Sequence, residues 1–350
     1  MQIRTLIAAG AAAALLLPAS GATAEEFYAG KTLTLVVPFD PGGSTDTNWR
    51  VIAPFLSQHI PGNPEVIIQN MAGGGGNTGA NFVYERARPD GLTILAGPWN
   101  SVGALTGAEG MRFDYRNMPF LGGFPDVLMT YARRDVVAGG MDDPAQIVDA
   151  GRFIFGGLRP DSTIDLTSRL SMDLLGLDYA YVTGYTGAAQ RTAAILSGEV
   201  QASGLGYVGF KSSVEPAGEG ALIGLYYHSL EPMASIDDMM DFPSFYEQVR
   251  GEPPSGEEWE LLRVAYLATG VFLQSMWAPP GTDEEALEAL RRGYASMIED
   301  PALQAEAERI IGTRIDFVTT EQGEQTVQDL LVDTSAETVE RLQAYIAAGG

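Results

Sequence analysis

Two glycine-rich segments stand where a hydrophobic run gives way to a segment with helical spacing. DPGG at residues 40–43 precedes STD at 44–46, and GGGG at 73–76 precedes Asn77. A strand that ends in such a turn and opens a helix directs several backbone N–H groups, with the positive end of the helix dipole, at one place. Each segment therefore predicts an anion-binding turn, and simple chain reversal is the alternative for either turn alone.

Neither turn is a good match to the common nucleotide-binding motifs. Residues 74–79 formally satisfy G-x-G-x-x-G, but a run of four glycines satisfies many patterns. No acidic residue ends a following strand about 20 residues later, as a dinucleotide-binding unit requires. Neither turn carries the Lys-Ser/Thr pair of a P-loop.

Residues for nucleophilic catalysis or metal binding are scarce. The chain has no cysteine, which excludes thiol nucleophiles, disulfides and Cys-ligated metal centres. A Ser-His-Asp triad would have to use His59, expected at a helix end, or His228, expected at a strand end, and G-x-S-x-G is missing. A non-enzyme is therefore favoured. The alternative is an α/β enzyme, such as an esterase or a nucleotide-dependent reductase, that binds a phosphate or an oxyanion at the same turns.

Composition limits the class of partner. The 350 residues are 45% hydrophobic, which is enough for one large or two ordinary domains. Forty-five acidic residues against 21 basic ones give a net charge of −24, whose field repels phosphate backbones. Nucleic acid is therefore not expected as a partner.

Residues 1–24 have the pattern of a secretory signal peptide. Arg4 is followed by an apolar stretch at 6–18, and ATA at 22–24 is an A-x-A cleavage site. A membrane anchor would need about 20 apolar residues, which is longer than this stretch. The predicted protein is exported and, in a Gram-negative bacterium, periplasmic.

The remaining chain alternates strand and helix patterns, which predicts the α/β class. Strands at 32–39, 65–69 and 92–97 alternate with helices at 44–56 and 77–86, in a β-α-β-α-β series that implies a parallel sheet. A second unit has strands at 152–157, 179–182 and 200–205 and helices at 164–175 and 187–196. Amphipathic helices follow at 284–311, with a break at Asp300-Pro301, and in the last 25 residues.

Ordered motifs carry a resemblance to a known family. VVPFDPGGSTD at 36–46, NMAGGGGNTGA at 70–80 and RPDGLTIL at 88–95 resemble the extracytoplasmic substrate-binding proteins of tripartite tricarboxylate transporters, the Bug family. GYTGAA at 184–189, LSGEV at 196–200 and WAPPGT at 277–282 resemble later segments of that family. The resemblance covers nearly all of the chain after the signal peptide.

The resemblance implies a two-domain, periplasmic-binding-protein-like (Venus flytrap) fold, each domain a mostly parallel sheet flanked by helices. Domain 1 would comprise residues 25–122, domain 2 residues 123–250, and residues 251–350 would return to domain 1 and add C-terminal helices. Such a receptor closes over a small carboxylate and delivers it to membrane permease subunits. It needs no cofactor, metal or nucleic acid, and a monomer is expected.

The ligand contacts that the resemblance implies come from both domains. They are Phe39, Gly43, Ser44, Thr45, Gly75, Gly76, Asn77, Thr78, Ser162, Thr163, Tyr185, Thr186 and Gly187. Roles as simple caps or turn residues are the alternative for each. Asp46 and Arg50, four residues apart on one helix, are interpreted as a supporting ion pair. Because neither glycine turn contains a basic residue, backbone amides rather than an arginine are expected to hold the carboxylate.

Three departures from the family pattern leave the ligand open. Asp165 stands where the family commonly has a histidine, and residues 201–206 lack the aspartate that pairs with ligand amino groups. One additional residue separates Val182 from Tyr185. A solute-binding protein of a different transporter class is a further alternative, with the same mechanism.

We expect the exported protein to begin at Glu25, because the A-x-A site follows the breaker residues of the leader. Intact-mass measurement on protein recovered from the cell envelope tests this. Retention of residues 1–24 would contradict the signal-peptide interpretation.

Overall fold

The computed structural model describes residues 27–233, 236–312 and 314–349, so the predicted signal peptide lies outside the described residues. Ten strands are present in this part of the chain. They are β1 (Thr32–Val37), β2 (Glu65–Asn70), β3 (Thr93–Pro98), β4 (Phe120–Phe124), β5 (Leu128–Arg133), β6 (Phe153–Gly156), β7 (Tyr179–Val182), β8 (Ala202–Gly206), β9 (Leu222–Tyr227) and β10 (Gln274–Trp277).

The strands form two sheets of five. The first has the order β2-β1-β3-β10-β4, with β1 parallel to β2 and β3 and with β10 antiparallel to both its neighbours. The second has the order β7-β6-β8-β5-β9, with β6 parallel to β7 and β8 and with β5 antiparallel to both its neighbours. We call the units built on these sheets the first lobe (β1–β4 and β10) and the second lobe (β5–β9). In each sheet one strand opposes the direction of the others.

Helices cover the sheets. The longer ones are α1 (Ser44–His59), α2 (Asn77–Arg86), α3 (Ser101–Thr106), α4 (Thr163–Leu174), α5 (Ala188–Ser197), α6 (Phe242–Arg250), α7 (Glu257–Gly270), α8 (Glu284–Ile298), α9 (Pro301–Ile310), α10 (Thr320–Leu331) and α11 (Ala336–Ala348). The predicted break between α8 and α9 is confirmed: Asp300 accepts a hydrogen bond from the Ala302 amide, and Pro301 opens the new helix. No helix in the described ranges is long and apolar enough to cross a membrane.

The strands of the two sheets are connected by two crossings of the chain, at 125–127 and at 228–273. Two helices of the segment predicted to return to domain 1 lie against the second lobe instead. Leu262 of α7 and Leu342 of α11 belong to the same buried cluster as Leu166 of α4. The apolar stripes of both helices are buried against α4 in the core of the second lobe, and this burial decides which lobe they join. The other predicted domain boundaries stay predictions.

Tyr294 of α8 connects three segments of the first lobe. Its buried hydroxyl accepts a hydrogen bond from the Gly123 amide (3.0 Å) and lies 2.8 Å from both the Gly123 and Val318 carbonyl oxygens. We expect Tyr294→Phe to lower the free energy of unfolding by about 1–3 kcal/mol, because a buried N–H loses its acceptor.

Urea unfolding of the two proteins measures this difference. Tyr84→Phe is the matched control, because Tyr84 is only partly buried and its hydroxyl makes no hydrogen bond within the described residues. Equal losses in the two variants would contradict the role assigned to the Tyr294 hydroxyl.

Candidate functional site

A cavity of about 120 Å³ lies between the two lobes. Its walls come from the segments that follow β1, β3, β6 and β8 and from the starts of α1, α4 and α5. The carboxyl ends of parallel strands are where open α/β sheets bind ligands. Seven predicted site residues lie in these walls: Phe39, Gly43, Ser44, Thr45, Gly75, Ser162 and Thr163.

Three helix N-termini meet at the cavity. The N-cap residues of α1 and α5 are Gly43 and Gly187, which supply no side-chain acceptor, whereas Ser162 caps α4 by accepting from the Asp165 amide. The first-turn amides of a helix have no partner within the helix and carry its positive dipole end. The starts of α1 and α5 therefore offer uncapped donors to an anion.

The turn before α1 is held by a buried carboxylate. Asp46 Oδ2 accepts from the Gly42 amide and from Arg50 Nε, both at 2.8 Å, and its Oδ1 accepts from Asn70 Nδ2 at 2.9 Å. Burial alone would raise the pKa of Asp46, but these hydrogen bonds together hold it below its ordinary value. The predicted Asp46–Arg50 support is confirmed.

The second glycine turn contributes one residue to the cavity. Gly75 lines it, with φ of +61°, and a β-carbon added there would lie 2.8 Å from Arg159 Nε. Gly76, Asn77 and Thr78 are not in the walls: a β-carbon at Gly76 would face the Phe39 ring, Asn77 is buried, and the Thr78 hydroxyl faces Gly73. As ligand contacts these three residues stay predictions.

The predicted segment before α5 is also displaced from the cavity. Tyr185 donates to Glu199 Oε1 at 2.8 Å, and Thr186 is bound by the Gln190 side chain. Gly187 is the N-cap, and the next residues, Ala188 and Ala189, are those that line the cavity. Tyr185, Thr186 and Gly187 also stay predictions as ligand contacts.

The wall from α4 carries an unpaired hydroxyl. Thr163 Oγ1 is buried and has no hydrogen-bond partner among the residues that the structure describes. Asp165, in place of the family histidine, points away from the cavity: its Oδ2 accepts from Tyr181 (2.7 Å) and from the Arg159 amide (2.9 Å). Burial raises the pKa of Asp165. It positions the chain around Arg159 instead of facing the ligand.

Arg159 is a site residue that the sequence analysis missed. It lines the cavity, forms an ion pair with Asp161 (Nε–Oδ1, 3.3 Å), and its buried Nη1 has no hydrogen-bond partner within the described ranges. An arginine therefore stands opposite the glycine turn that was expected to act through amides alone. A basic residue just before a helix start was the available signal, because it faces the same place as the first-turn amides.

Asp126 and Gln274 form the base of the cavity, and neither was predicted. Gln274 Nε2 donates to Asp126 Oδ2 (3.1 Å) and to Thr45 Oγ1 (3.3 Å), and its Oε1 accepts from Trp49 Nε1 (3.2 Å). Burial raises the pKa of Asp126 to about 6, although the hydrogen bond from Gln274 opposes the shift. This network joins α1 to the segments that connect the lobes.

The histidines lie outside the cavity walls. His59 ends α1 and contacts Asp300 at 3.0 Å, and His228 is buried between Thr130 and Tyr266 with its pKa lowered to about 3 by burial. Within the described residues no cluster of three His, Asp or Glu side chains could hold a metal ion.

Comparison with known proteins places the chain. A UPF0065 protein of Bordetella pertussis is 28% identical over 302 residues, 83% of each chain. BugT of the same organism is 43% identical over 68 residues, 19% of this chain and 20% of BugT. The chain is thus similar in sequence to a UPF0065 protein over most of its length and to BugT over a short segment. No protein-family model matches the sequence.

Solved structures confirm the fold predicted for this chain. The periplasmic binding protein BugD superposes with a TM-score of 0.70 at 18% identity, covering 91% of this chain and 98% of BugD. MatC from Rhodopseudomonas palustris, solved with bound malate, gives 0.64 at 19% identity, covering 90% and 99%. The two-lobed α/β architecture is thus shared.

The raised pKa of Asp126 has a consequence for stability. The folded protein holds this proton more tightly than the unfolded chain, whose carboxyl has a pKa of 3.8, so stability from this group is present below pH 4 and lost as pH rises through about 6. We expect Asp126→Asn to raise the free energy of unfolding by about 1–3 kcal/mol at pH 7.5 and by much less at pH 4.

Urea unfolding at the two pH values measures the difference. Asp333→Asn is the control, because it removes the same charge from an exposed position far from the cavity walls. A gain for Asp126→Asn that is equal at both pH values would contradict the assignment.

Proposed function

We propose that this chain is an extracytoplasmic receptor that captures a small carboxylate between its lobes and delivers it to a tripartite tricarboxylate-type membrane transporter. The observation that carries the proposal is the meeting of Arg159 with the starts of α1, α4 and α5 around one cavity. A guanidinium with an unpaired N–H and two uncapped helix starts match the charge and the lone pairs of a carboxylate.

Contacts across the cleft support capture between the lobes. A β-carbon at Gly75 would meet Arg159, one at Gly187 would lie 3.1 Å from Asp40 Oδ2, and one at Gly209 would lie 3.0 Å from the Ser44 β-carbon. Each pair joins a first-lobe residue to a second-lobe residue. Release of a ligand held there requires the lobes to separate, as in other hinged binding proteins.

The cellular setting is part of the same proposal. The signal-peptide pattern supports a periplasmic location, and relatives with the names BugD and MatC are periplasmic or carboxylate-bound proteins. The same proposal holds that the chain acts as a monomer, has no catalytic activity and works with membrane permease subunits. The absence of both histidines from the cavity walls favours a receptor over a hydrolase.

Arg159→Gln should weaken carboxylate binding about tenfold or more, because a charge-assisted hydrogen bond is lost. Arg159→Lys should recover part of the affinity, since it keeps the charge without the planar fork. A thermal-shift screen against mono-, di- and tricarboxylates identifies a ligand, which at 100 times its Kd stabilises the wild type by about 2.7 kcal/mol. Calorimetry then compares the variants.

Arg152→Gln is the matched control, an exposed arginine before β6 in the same lobe. An unchanged carboxylate affinity in Arg159→Gln would contradict the role of Arg159 in binding the carboxylate. A screen in which no carboxylate binds would contradict the receptor itself.

A further inference from the structure

The charges around the cavity are already nearly paired. Arg159 faces Asp161, and Arg191, also in the wall, is buried beside Asp165 and donates to the Gly204 carbonyl oxygen at 2.6 Å. Against these two cations the walls add the carboxyl groups of two further acids, Asp40 and Asp126. One negative charge on a ligand is matched by the guanidinium of Arg159 and by the backbone amides of the helix starts. The one further cation in the described part of the walls is Arg191, which is already engaged by the Gly204 carbonyl oxygen and lies beside Asp165, so a second buried negative charge is poorly matched there.

The remaining walls are apolar and close together. They include Trp99, Leu128, Leu158, Ile164, Leu205 and Leu273. The volume of about 120 Å³ between these walls is slightly below the ~150 Å³ of a cavity that accommodates benzene. The body of the ligand is therefore short and hydrophobic.

Asp126 supplies an acceptor at the base of this space. Only its Oδ2 is engaged, by Gln274, and Oδ1 accepts no hydrogen bond from the described residues. The residue is 9% exposed and lies in the cavity wall. A buried carboxylate with an unused oxygen favours a ligand that brings a donor to it.

We propose that the ligand is a compact monocarboxylate that carries a hydrogen-bond donor, a hydroxyl or an amino group, and that Asp126 accepts from this donor while Arg159 holds the carboxylate. This inference rests on the proposed receptor function and narrows its substrate class. Dicarboxylates and tricarboxylates are disfavoured, because their second carboxylate would meet Asp126.

Calorimetry on the mature protein at pH 7.5 tests the proposal with ligands of three to six carbons. At each length four compounds are compared: the unsubstituted monocarboxylate, its ω-hydroxy and ω-amino derivatives, and the α,ω-dicarboxylate. We expect a hydroxy or an amino compound to bind about tenfold or more tightly than the unsubstituted acid, and the dicarboxylate to bind more weakly than either. Which derivative is preferred distinguishes a hydroxy acid from an amino acid.

Asp126→Asn keeps the shape of the side chain. Its amide oxygen can still accept from Gln274, so its NH2 group takes the place of Oδ1 and presents a donor to the ligand. In this variant we expect the amino compound to lose affinity and the dicarboxylate to gain about tenfold, which inverts the selectivity. Asp333→Asn, with the same change of net charge, should keep the wild-type order.

The outcomes separate the two proposals. A dicarboxylate that binds the wild type as tightly as the donor-bearing acids, or selectivity unchanged in Asp126→Asn, overturns the Asp126 proposal and leaves the receptor function standing. Failure of every carboxylate in the series and in the wider screen counts against both.

Discussion

Helix N-termini present backbone amides without partners and the positive end of the helix dipole, and in this molecule three of them face one cavity. Parallel strands deliver helix starts to a single edge, so two such sheets facing each other bring α1, α4 and α5 together. The single opposed strand of each sheet, β10 and β5, is the one that enters from the other lobe. These strands begin at the cleft, where the parallel strands end.

The crossings between the lobes also explain where the polar groups at the base of the cavity come from. Gln274 is the first residue of β10, and Asp126 lies between β4 and β5. Both occupy positions that the chain must pass on its way between lobes, and both are buried. Burial of an ionisable carboxyl there costs stability at neutral pH, a common property of binding groups that are kept for function.

The turns, most strands and the helices that follow them could be predicted because their signals are local. Glycine turns, capping residues such as Asp300 and apolar periodicity each depend on a few neighbouring residues. Arg159, Asp126 and Gln274 could not be placed in this way, because the cavity joins residues more than one hundred positions apart, as in the contact of Gln274 with Thr45. The same limit applies to α7 and α11, whose apolar stripes fit either core until the topology is known.

The approach of Gly75 to Arg159 connects recognition to movement. The turn requires glycine for its positive φ, and the guanidinium occupies the space where a side chain would stand. The turn belongs to the first lobe and the arginine to the second, so neither lobe alone presents all the groups of the proposed carboxylate site. A ligand that contacts both gains affinity only in the closed arrangement, and by linkage it shifts the population toward that arrangement by the same free energy. The same contacts therefore decide which ligand binds and whether the lobes close. A ligand that leaves Asp126 or Arg159 unmatched also loses part of the free energy that brings the lobes together.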